Sequence, residues 1–156
     1  MISKVVFVDI DGPMIPATMY LVNPHCSLDR KFPPTTIAVL NRLCEATGAK
    51  VVFNTTHNVD NPAVANIDEA IVAAGLHPRH INYGDHKTDY PDVDRDQAVS
   101  RWLARNPHVT EWVAIDDHKF TDDPRLVLVD PDAGVHVGHL NDAIKILGGK
   151  PFLVLI

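Results

Sequence analysis

The chain has 156 residues, 46% of them hydrophobic and 22% charged, and its formal net charge is −6. This length suffices for one domain with its own core, and the composition excludes a largely disordered protein. The negative charge argues against sequence-independent binding to a nucleic-acid backbone as the main activity. With no apolar run of membrane-spanning length, no signal-peptide pattern and no CxxC pair, we expect a single soluble, cytoplasmic domain over residues 1–156 that needs no membrane.

The N-terminal part begins with a strand pattern. Residues 4–9 form a short apolar run rich in β-branched side chains, which predicts a strand buried on both faces. Residues 13–34 contain five prolines, so we expect an irregular segment without a long helix. Apolar residues then recur at helical spacing over residues 35–47, and Gly48 supplies a stop signal.

The middle of the chain continues the alternation. A second strand is predicted at residues 50–53, and Asn61-Pro62 indicates the start of a helix that runs to Ala74. A short strand is expected near Ile81. Asp94 then has the position of a cap for a further helix, which Pro107 ends.

The C-terminal part contains two further strand patterns and a helix. Strands are predicted at residues 111–115 and 125–129, a helix at 140–147 and an edge strand at 152–156. Strands and helices alternate throughout, which is typical of a doubly wound α/β fold. We therefore predict a Rossmann-like parallel sheet with helices on both faces.

Polar residues follow three of the predicted strands at the point where each strand ends. Asp9 and Asp11 follow the first strand, Thr55 follows the second, and Asp116 and Asp117 follow a later one. Each group alone is compatible with a turn or a helix cap. Ligands of open α/β sheets bind beyond the carboxyl ends of the strands, however, so together these residues predict a functional site. Carboxylates gathered on one rim repel each other unless a cation such as Mg²⁺ holds them.

Several segments resemble motifs of one phosphohydrolase superfamily. Residues 5–12 (VVFVDIDG) resemble the first motif of the haloacid dehalogenase-like (HAD) superfamily, hhhhDxDG, and residues 112–117 (WVAIDD) resemble its fourth motif. Residues 48–55 resemble its second motif, in which Ser or Thr follows a helix-ending glycine. Residues 95–103 and 128–134 are similar to stretches of the small, capless HAD domains of Swiss-army-knife RNA repair proteins. The resemblance covers most of the chain and implies the same Rossmann-like fold.

The resemblance implies a role for each matched residue. Asp9 is expected to be the nucleophile that forms an aspartyl-phosphate, and Asp11 the general acid and later the general base. Thr55 is expected to donate a hydrogen bond to a phosphoryl oxygen. Arg95 is expected to neutralise charge on the phosphoryl group.

The resemblance also implies Mg²⁺ as the cofactor. Asp9, the carbonyl of Asp11, Asp116 and Asp117 are the expected ligands, with Asp117 binding directly or through water. The cation offsets the repulsion between an anionic nucleophile and an anionic substrate.

Some assignments have alternatives within the sequence. Asn54 and Thr56 flank the second-motif threonine and are candidates for its role, and Lys87 is a rival to the third-motif arginine as the phosphate-neutralising group. His57 and His118 directly follow site motifs, so we expect them to contact the substrate or to tune the pKa values of the site. Thr56 and Lys87 are also expected to contact the substrate.

The spacing of the motifs bears on the substrate. Residues 13–33 leave room for a flap, and residues 58–94 for one helix and a loop, so no folded cap is expected and the site should be open unless a homo-oligomer covers it. We expect a Mg²⁺-dependent phosphomonoesterase that acts on a nucleotide or a nucleic-acid terminal phosphate. The alternatives are a small-metabolite or sugar phosphatase and a non-catalytic HAD-fold interaction module, which the intact Asp9 and Asp11 disfavour. A signalling receiver would carry its paired acids after the first strand, whereas here they follow a later one.

Overall fold

The structure is a computed structural model that describes residues 3–153. Its centre is a parallel sheet of four strands in the order β2-β1-β3-β4. The strands are β1 (Lys4–Val8), β2 (Lys50–Phe53), β3 (Glu111–Asp116) and β4 (Leu126–Leu128). β1 lies between β2 and β3, so the connection from β2 to β3 crosses over β1. In open α/β sheets the binding crevice lies at the carboxyl ends of the strands where the strand order reverses in this way.

Helices cover both faces of the sheet, which confirms the predicted doubly wound α/β class. Three helices belong to the larger apolar cluster on one face, and one belongs to the smaller cluster on the other face. The helices are α1 (Met19–Val22), α2 (Pro34–Thr47), α3 (Ile67–Ala73), α4 (Arg95–Arg105) and α5 (Val137–Leu147). Residues of α2, α3 and α5 form the larger cluster, and those of α4 the smaller one.

The central strand β1 shows why its sequence is apolar throughout. Val6 and Val8 point into the larger cluster, whereas Val5 and Phe7 point into the smaller one. Successive side chains of a strand face opposite sides of the sheet, so a strand covered by helices on both sides needs apolar residues at every position. The continuous run that predicted a buried strand is therefore explained by the two layers of helices.

Two predicted boundary signals are confirmed. The Asp94 carboxylate accepts a hydrogen bond of 2.8 Å from the backbone N–H of Gln97 and so caps α4. Helix α2 ends at Gly48, whose φ of +75° places it in the left-handed region.

The predicted helix from Asn61 is wrong at its start, because α3 begins only at Ile67. The Asn61 side chain accepts a hydrogen bond from the N–H of Ala63 (3.0 Å), and its carbonyl accepts one from the N–H of Val64 (3.0 Å). Asn61 therefore closes a local turn, which competes with the helix that the same residue types can cap.

Three other predicted elements also differ from the structure. The strand near Ile81 is reduced to a single bridge with Val51. Helix α5 starts three residues before the predicted position, because His136 accepts a hydrogen bond from the N–H of Gly138 and caps it there. Of the predicted edge strand at 152–156, Phe152 and Leu153 are not in a strand, and residues 154–156 lie outside the described residues.

The segment between β1 and α2 forms a flap over the edge of the sheet. It contains the single-turn helix α1 and a 3₁₀ turn at Leu28–Lys31, each limited by flanking prolines or loop residues. Within residues 3–153, no cap domain interrupts the sheet. The longest helix of this part, α2, has 14 residues, and none is long and apolar enough to cross a membrane.

We predict that Trp102→Ala lowers the free energy of unfolding by about 3–5 kcal/mol, the range for a large buried side chain. Trp102 is fully buried, its ring meets Phe7 edge-on with centroids 5.3 Å apart, and its indole N–H donates to the Asp85 carbonyl at 3.0 Å. Urea denaturation measures the change. Leu21→Ala is the control, because Leu21 is 83% exposed and its removal should cost less than about 0.5 kcal/mol.

Candidate active site

The parallel register brings the ends of three strands to one edge of the sheet. Val8 pairs with Phe53 on one side and with Ile115 on the other. Backbone hydrogen bonds continue the sheet one residue further, since the Asp9 N–H donates to the Ile115 carbonyl and the Asn54 N–H to the Val8 carbonyl, each at 3.0 Å. The backbone of the residues after each strand is therefore held as firmly as the sheet itself.

A cluster of carboxylates forms at this edge. One ligand atom each of Asp9, Asp116, Asp117 and His118 lies within 4.8 Å of the others. The Asp9 and Asp116 side chains are buried, at 3% and 2% exposure. The guanidinium of Arg95 lies between these two, with Nη1 at 2.8 Å from Asp116 Oδ2 and 3.4 Å from Asp9 Oδ2. One arginine therefore forms ion pairs with two buried acids, and a third acid, Asp117, lies beside them.

The pKa values of Asp9 and Asp116 indicate that Arg95 alone does not balance the negative charge of the cluster. Burial raises the pKa of Asp9 to about 8, the nearby charge of Asp116 adds to the increase, and Arg95 only partly opposes it. Burial also raises the pKa of Asp116, against the attraction of Arg95. A second cation at the cluster would restore both acids to their charged forms.

Asp117 provides an oxygen that is free to bind such a cation. Its Oδ1 is buried and accepts no hydrogen bond within the described part of the chain, and His118 Nδ1 is 3.2 Å away. Asp117 comes this close to β1 because Gly12 has no side chain. A Cβ at position 12 would lie 2.7 Å from Asp117 Cγ, and Gly12 has a φ of +103°, which other residues rarely adopt.

Asp11 lies apart from the buried cluster and has its own partners. The Tyr20 hydroxyl donates to Asp11 Oδ1 at 2.5 Å, and His57 Nε2 is 3.0 Å from Oδ2. Burial alone would raise the pKa of Asp11, but the hydrogen bonds from His57 and Tyr20 outweigh it and lower the pKa. The Asp11 side chain is 45% exposed, so it can reach a molecule in the cleft.

Of the three residues after β2, Asn54 and Thr55 are buried and Thr56 is exposed. Thr55 is fully buried, and its hydroxyl oxygen accepts a hydrogen bond of 3.3 Å from the N–H of His57. Asn54 is also buried; its Oδ1 accepts from the Thr88 hydroxyl at 2.6 Å, and its Nδ2 has no partner among the described residues. Thr56 is exposed and lines the cleft. Of the three second-motif candidates, only Thr56 lies in the cleft wall.

The two candidate basic residues occupy different places. Arg95 is the first residue of α4, lines the cleft, and is held by the two acids, by the Asn54 carbonyl at 3.1 Å and by the Tyr90 ring at 4.3 Å. Lys87 lies 3.3 Å from the exposed Asp60 and is not part of the cleft wall. The structure therefore brings Arg95, but not Lys87, to the carboxylates.

The cleft has a volume of about 820 Å³, which is large enough for a nucleotide. Sequence reasoning missed three aromatic residues in its wall, namely Tyr20, Tyr90 and Phe120. No motif marks them, because each lies on a loop or short helix whose path depends on the rest of the fold. His118, by contrast, was a candidate, and it lies in the wall with 64% of its side chain exposed.

Comparison with known proteins gives one match. The model of a family described as the HAD domain in Swiss Army Knife RNA repair proteins matches residues 5–139. No curated protein and no solved structure matches the chain.

We predict that, without divalent cations, the free energy of unfolding falls as the pH rises from about 4 to about 8. Asp9 has a pKa of about 8 in the folded chain against an ordinary value of 3.8, so the folded state binds more protons than the unfolded state in this window. Asp9→Asn should flatten this fall. Chemical denaturation in EDTA at several pH values measures it, with Asp122→Asn as the exposed control. Equal slopes for wild type and Asp9→Asn would contradict the burial of an ionisable Asp9.

Proposed function

The chain belongs to the family of HAD domains in Swiss Army Knife RNA repair proteins, and on that premise we propose that it is a Mg²⁺-dependent phosphomonoesterase. Membership implies a phosphatase-type function. The proposed mechanism passes through an aspartyl-phosphate on Asp9. One observation carries the proposal: the buried Asp9 and Asp116 share a single arginine, and the half-buried Asp117 lies beside them at the cleft that also contains Asp11.

The residues of the cluster fit Mg²⁺. Carboxylate oxygens are ligands that suit a hard cation. Asp117 Oδ1 accepts no hydrogen bond from the described residues and is available to bind one. The raised pKa of Asp9, caused by burial and by the charge of Asp116, indicates that a further positive charge would stabilise the ionised cluster. We propose that Asp9, Asp116, Asp117 and the carbonyl of Asp11 hold the ion. When bound, the ion neutralises charge between the nucleophile and the phosphoryl group.

The two carboxylate oxygens of Asp9 have different partners. Oδ1 accepts a hydrogen bond of 2.8 Å from the N–H of Ile10, whereas Oδ2 lies 3.4 Å from Arg95 Nη1, and we propose that Oδ2 attacks phosphorus. In the first step a bond forms between Asp9 Oδ2 and phosphorus, the bond to the leaving oxygen breaks, and that oxygen takes a proton from Asp11. In the second step Asp11 takes a proton from water, whose oxygen attacks phosphorus and releases Asp9 and phosphate.

The proton on Asp11 needs a source, because the lowered pKa favours the carboxylate at neutral pH. Tyr20 keeps its own proton, since burial and the bond to Asp11 raise its pKa. The imidazole of His57 is the remaining neighbour, with Nε2 3.0 Å from Asp11 Oδ2, and an imidazole nitrogen can donate a proton. We therefore propose that His57 supplies the proton to Asp11 Oδ2 rather than binding substrate directly.

Arg95 and the threonines complete the phosphoryl site. The guanidinium of Arg95 is fixed by its acid partners and by the Asn54 carbonyl, so its charge is oriented before substrate binds. Thr56, which lines the cleft, is better placed than the buried Thr55 to donate to a phosphoryl oxygen.

The proposed substrate is a nucleotide or a terminal phosphate of a short nucleic acid. The RNA-repair context of the family supports a nucleotide unit. Within residues 3–153 no cap closes the cleft, so it is accessible to the end of a polymer. The net charge of −6 favours a mononucleotide or a short end over a long polyanion.

We predict that Asp9→Asn reduces phosphatase activity below detection, because an amide cannot accept the phosphoryl group. Asp11→Asn should lower kcat by about 10²–10⁴-fold, the usual contribution of a general acid or base, with a smaller change in KM. Steady-state kinetics on an aryl phosphate and on a nucleoside monophosphate measure both. The matched control is Asp122→Asn, which changes an acid whose side chain is 96% exposed. Activity of Asp9→Asn near that of wild type, with deamidation excluded by mass spectrometry, would disprove the covalent mechanism.

We predict that EDTA abolishes activity and that Mg²⁺ restores it. Mg²⁺ should also raise the melting temperature of the wild type, since binding to the folded state stabilises it. Asp116→Ala and Asp117→Ala should each raise the Mg²⁺ concentration needed for half-maximal activity and reduce the shift in melting temperature, whereas Asp122→Ala should change neither. Full activity in metal-free buffer would rule out the metal site.

A further inference from the structure

We infer that the rings of Tyr20 and Phe120 form a surface for a planar base beside the reaction centre, so that nucleotides are preferred over sugar phosphates. This inference rests on the proposed phosphatase function and names the feature of the substrate that the site selects.

Tyr20 contacts Asp11, the proposed general acid, and therefore lies near the leaving group. A general acid must lie within hydrogen-bond reach of the oxygen that departs, so that oxygen lies beside Asp11 during the reaction. The Tyr20 hydroxyl is 2.5 Å from Asp11 Oδ1, and its ring is part of the cleft wall. The group attached to the leaving oxygen, which is the ribose in a nucleoside 5′-monophosphate, therefore passes the Tyr20 ring, and the base carried by that ribose is within reach of the same wall.

The Tyr20 ring is held by the flap. The ammonium of Lys31 lies 5.5 Å above the ring centroid and also donates to the Cys26 carbonyl at 2.6 Å. Lys31 is buried although it is charged, so its place within the flap is fixed. The cation lies over one face of the ring, and Tyr20 is 37% exposed and lines the cleft. A ring held in this way loses little entropy when a base stacks on it.

Phe120 contributes a second ring from another loop. It lies between β3 and β4, packs against the apolar cluster around α4, and its N–H donates to the His118 carbonyl at 2.9 Å. Phe120 is half-buried, and the rest of its ring lines the cleft. Tyr20 and Phe120 thus reach the same cleft from two different segments, one after β1 and one after β3.

Part of the neighbouring wall is apolar. Ala17 and Pro131 line the cleft with apolar side chains, and the Ala17 N–H is already bonded to the Pro131 carbonyl at 2.9 Å. The anomeric hydroxyl that a sugar phosphate carries in place of the base would lose water here without gaining a partner. A base would instead bury its flat face against rings. Alanine substitution of a stacked aromatic weakens binding by about 5- to 150-fold per base.

The test compares adenosine 5′-monophosphate with ribose 5-phosphate, which share the phosphoryl ester and differ in the base. We expect the wild type to show a kcat/KM at least about tenfold higher for the nucleotide. Tyr20→Leu and Phe120→Leu should each lower this ratio by about fivefold or more. Tyr20→Phe keeps the ring and loses the bond to Asp11, so it should slow both substrates and leave the ratio unchanged.

Tyr83→Leu is the matched control, because Tyr83 is 55% exposed and lies outside the cleft wall. A purely structural role of Tyr20 or Phe120 would change kcat/KM for both substrates equally. A wild-type ratio near one, or a ratio that neither leucine variant changes, would overturn the inference.

A second measurement separates this inference from the proposed function. If the wild type hydrolyses neither compound, the phosphatase proposal fails, and calorimetric binding of the same two compounds in Mg²⁺ still tests the rings. Tighter binding of adenosine 5′-monophosphate by the wild type, lost in Tyr20→Leu, would support the surface. Equal binding of the two compounds, or binding of neither, would overturn it.

Discussion

The site depends on one electrostatic constraint, namely the burial of two carboxylates with a single arginine between them. Asp9 and Asp116 lie close together because they stand at the ends of the neighbouring parallel strands β1 and β3. The hydrogen bonds between these strands fix the distance between the two backbones. Arg95 offsets only part of the repulsion, and burial raises the pKa of both acids. The cluster therefore lowers stability at the strand ends, which are the place where the proposed function requires a cation and a phosphoryl group.

The rest of the site is arranged around that cluster by close backbone contacts. Gly12 lets Asp117 approach the turn after β1, and the N–H of Ile10 holds one oxygen of Asp9. Helix α4 begins at Arg95 and is capped by Asp94, so the start of the helix and the position of the guanidinium are determined together. The contact of Ile10 with Asp9 and the cap of α4 are local in sequence, whereas the approach of Asp117 to Gly12 exists only because the sheet brings β1 and β3 together.

The sheet and the acids could be predicted from the sequence, because apolar strands covered on both faces leave a continuous pattern and parallel strands end at one edge. The contacts of Tyr20 and His57 with Asp11 could not, since the first depends on the path of a proline-rich flap and the second on the turn after β2. Periodicity likewise gives no means to choose between Arg95 and Lys87. That choice follows from where α4 starts and from the ion pair of Lys87 with Asp60.

In the proposed function, the chemistry and the substrate preference are assigned to different parts of the cleft. The acids and Arg95 stand at the ends of strands and at the start of a capped helix, where a small displacement would break several hydrogen bonds. Tyr20 and Phe120 stand on a flap and a loop, where substitutions alter few contacts of the core. A family built on this plan can keep the position of its reacting groups while its loops change the leaving group. The aromatic wall is thus the part of this chain from which its substrate preference is best inferred.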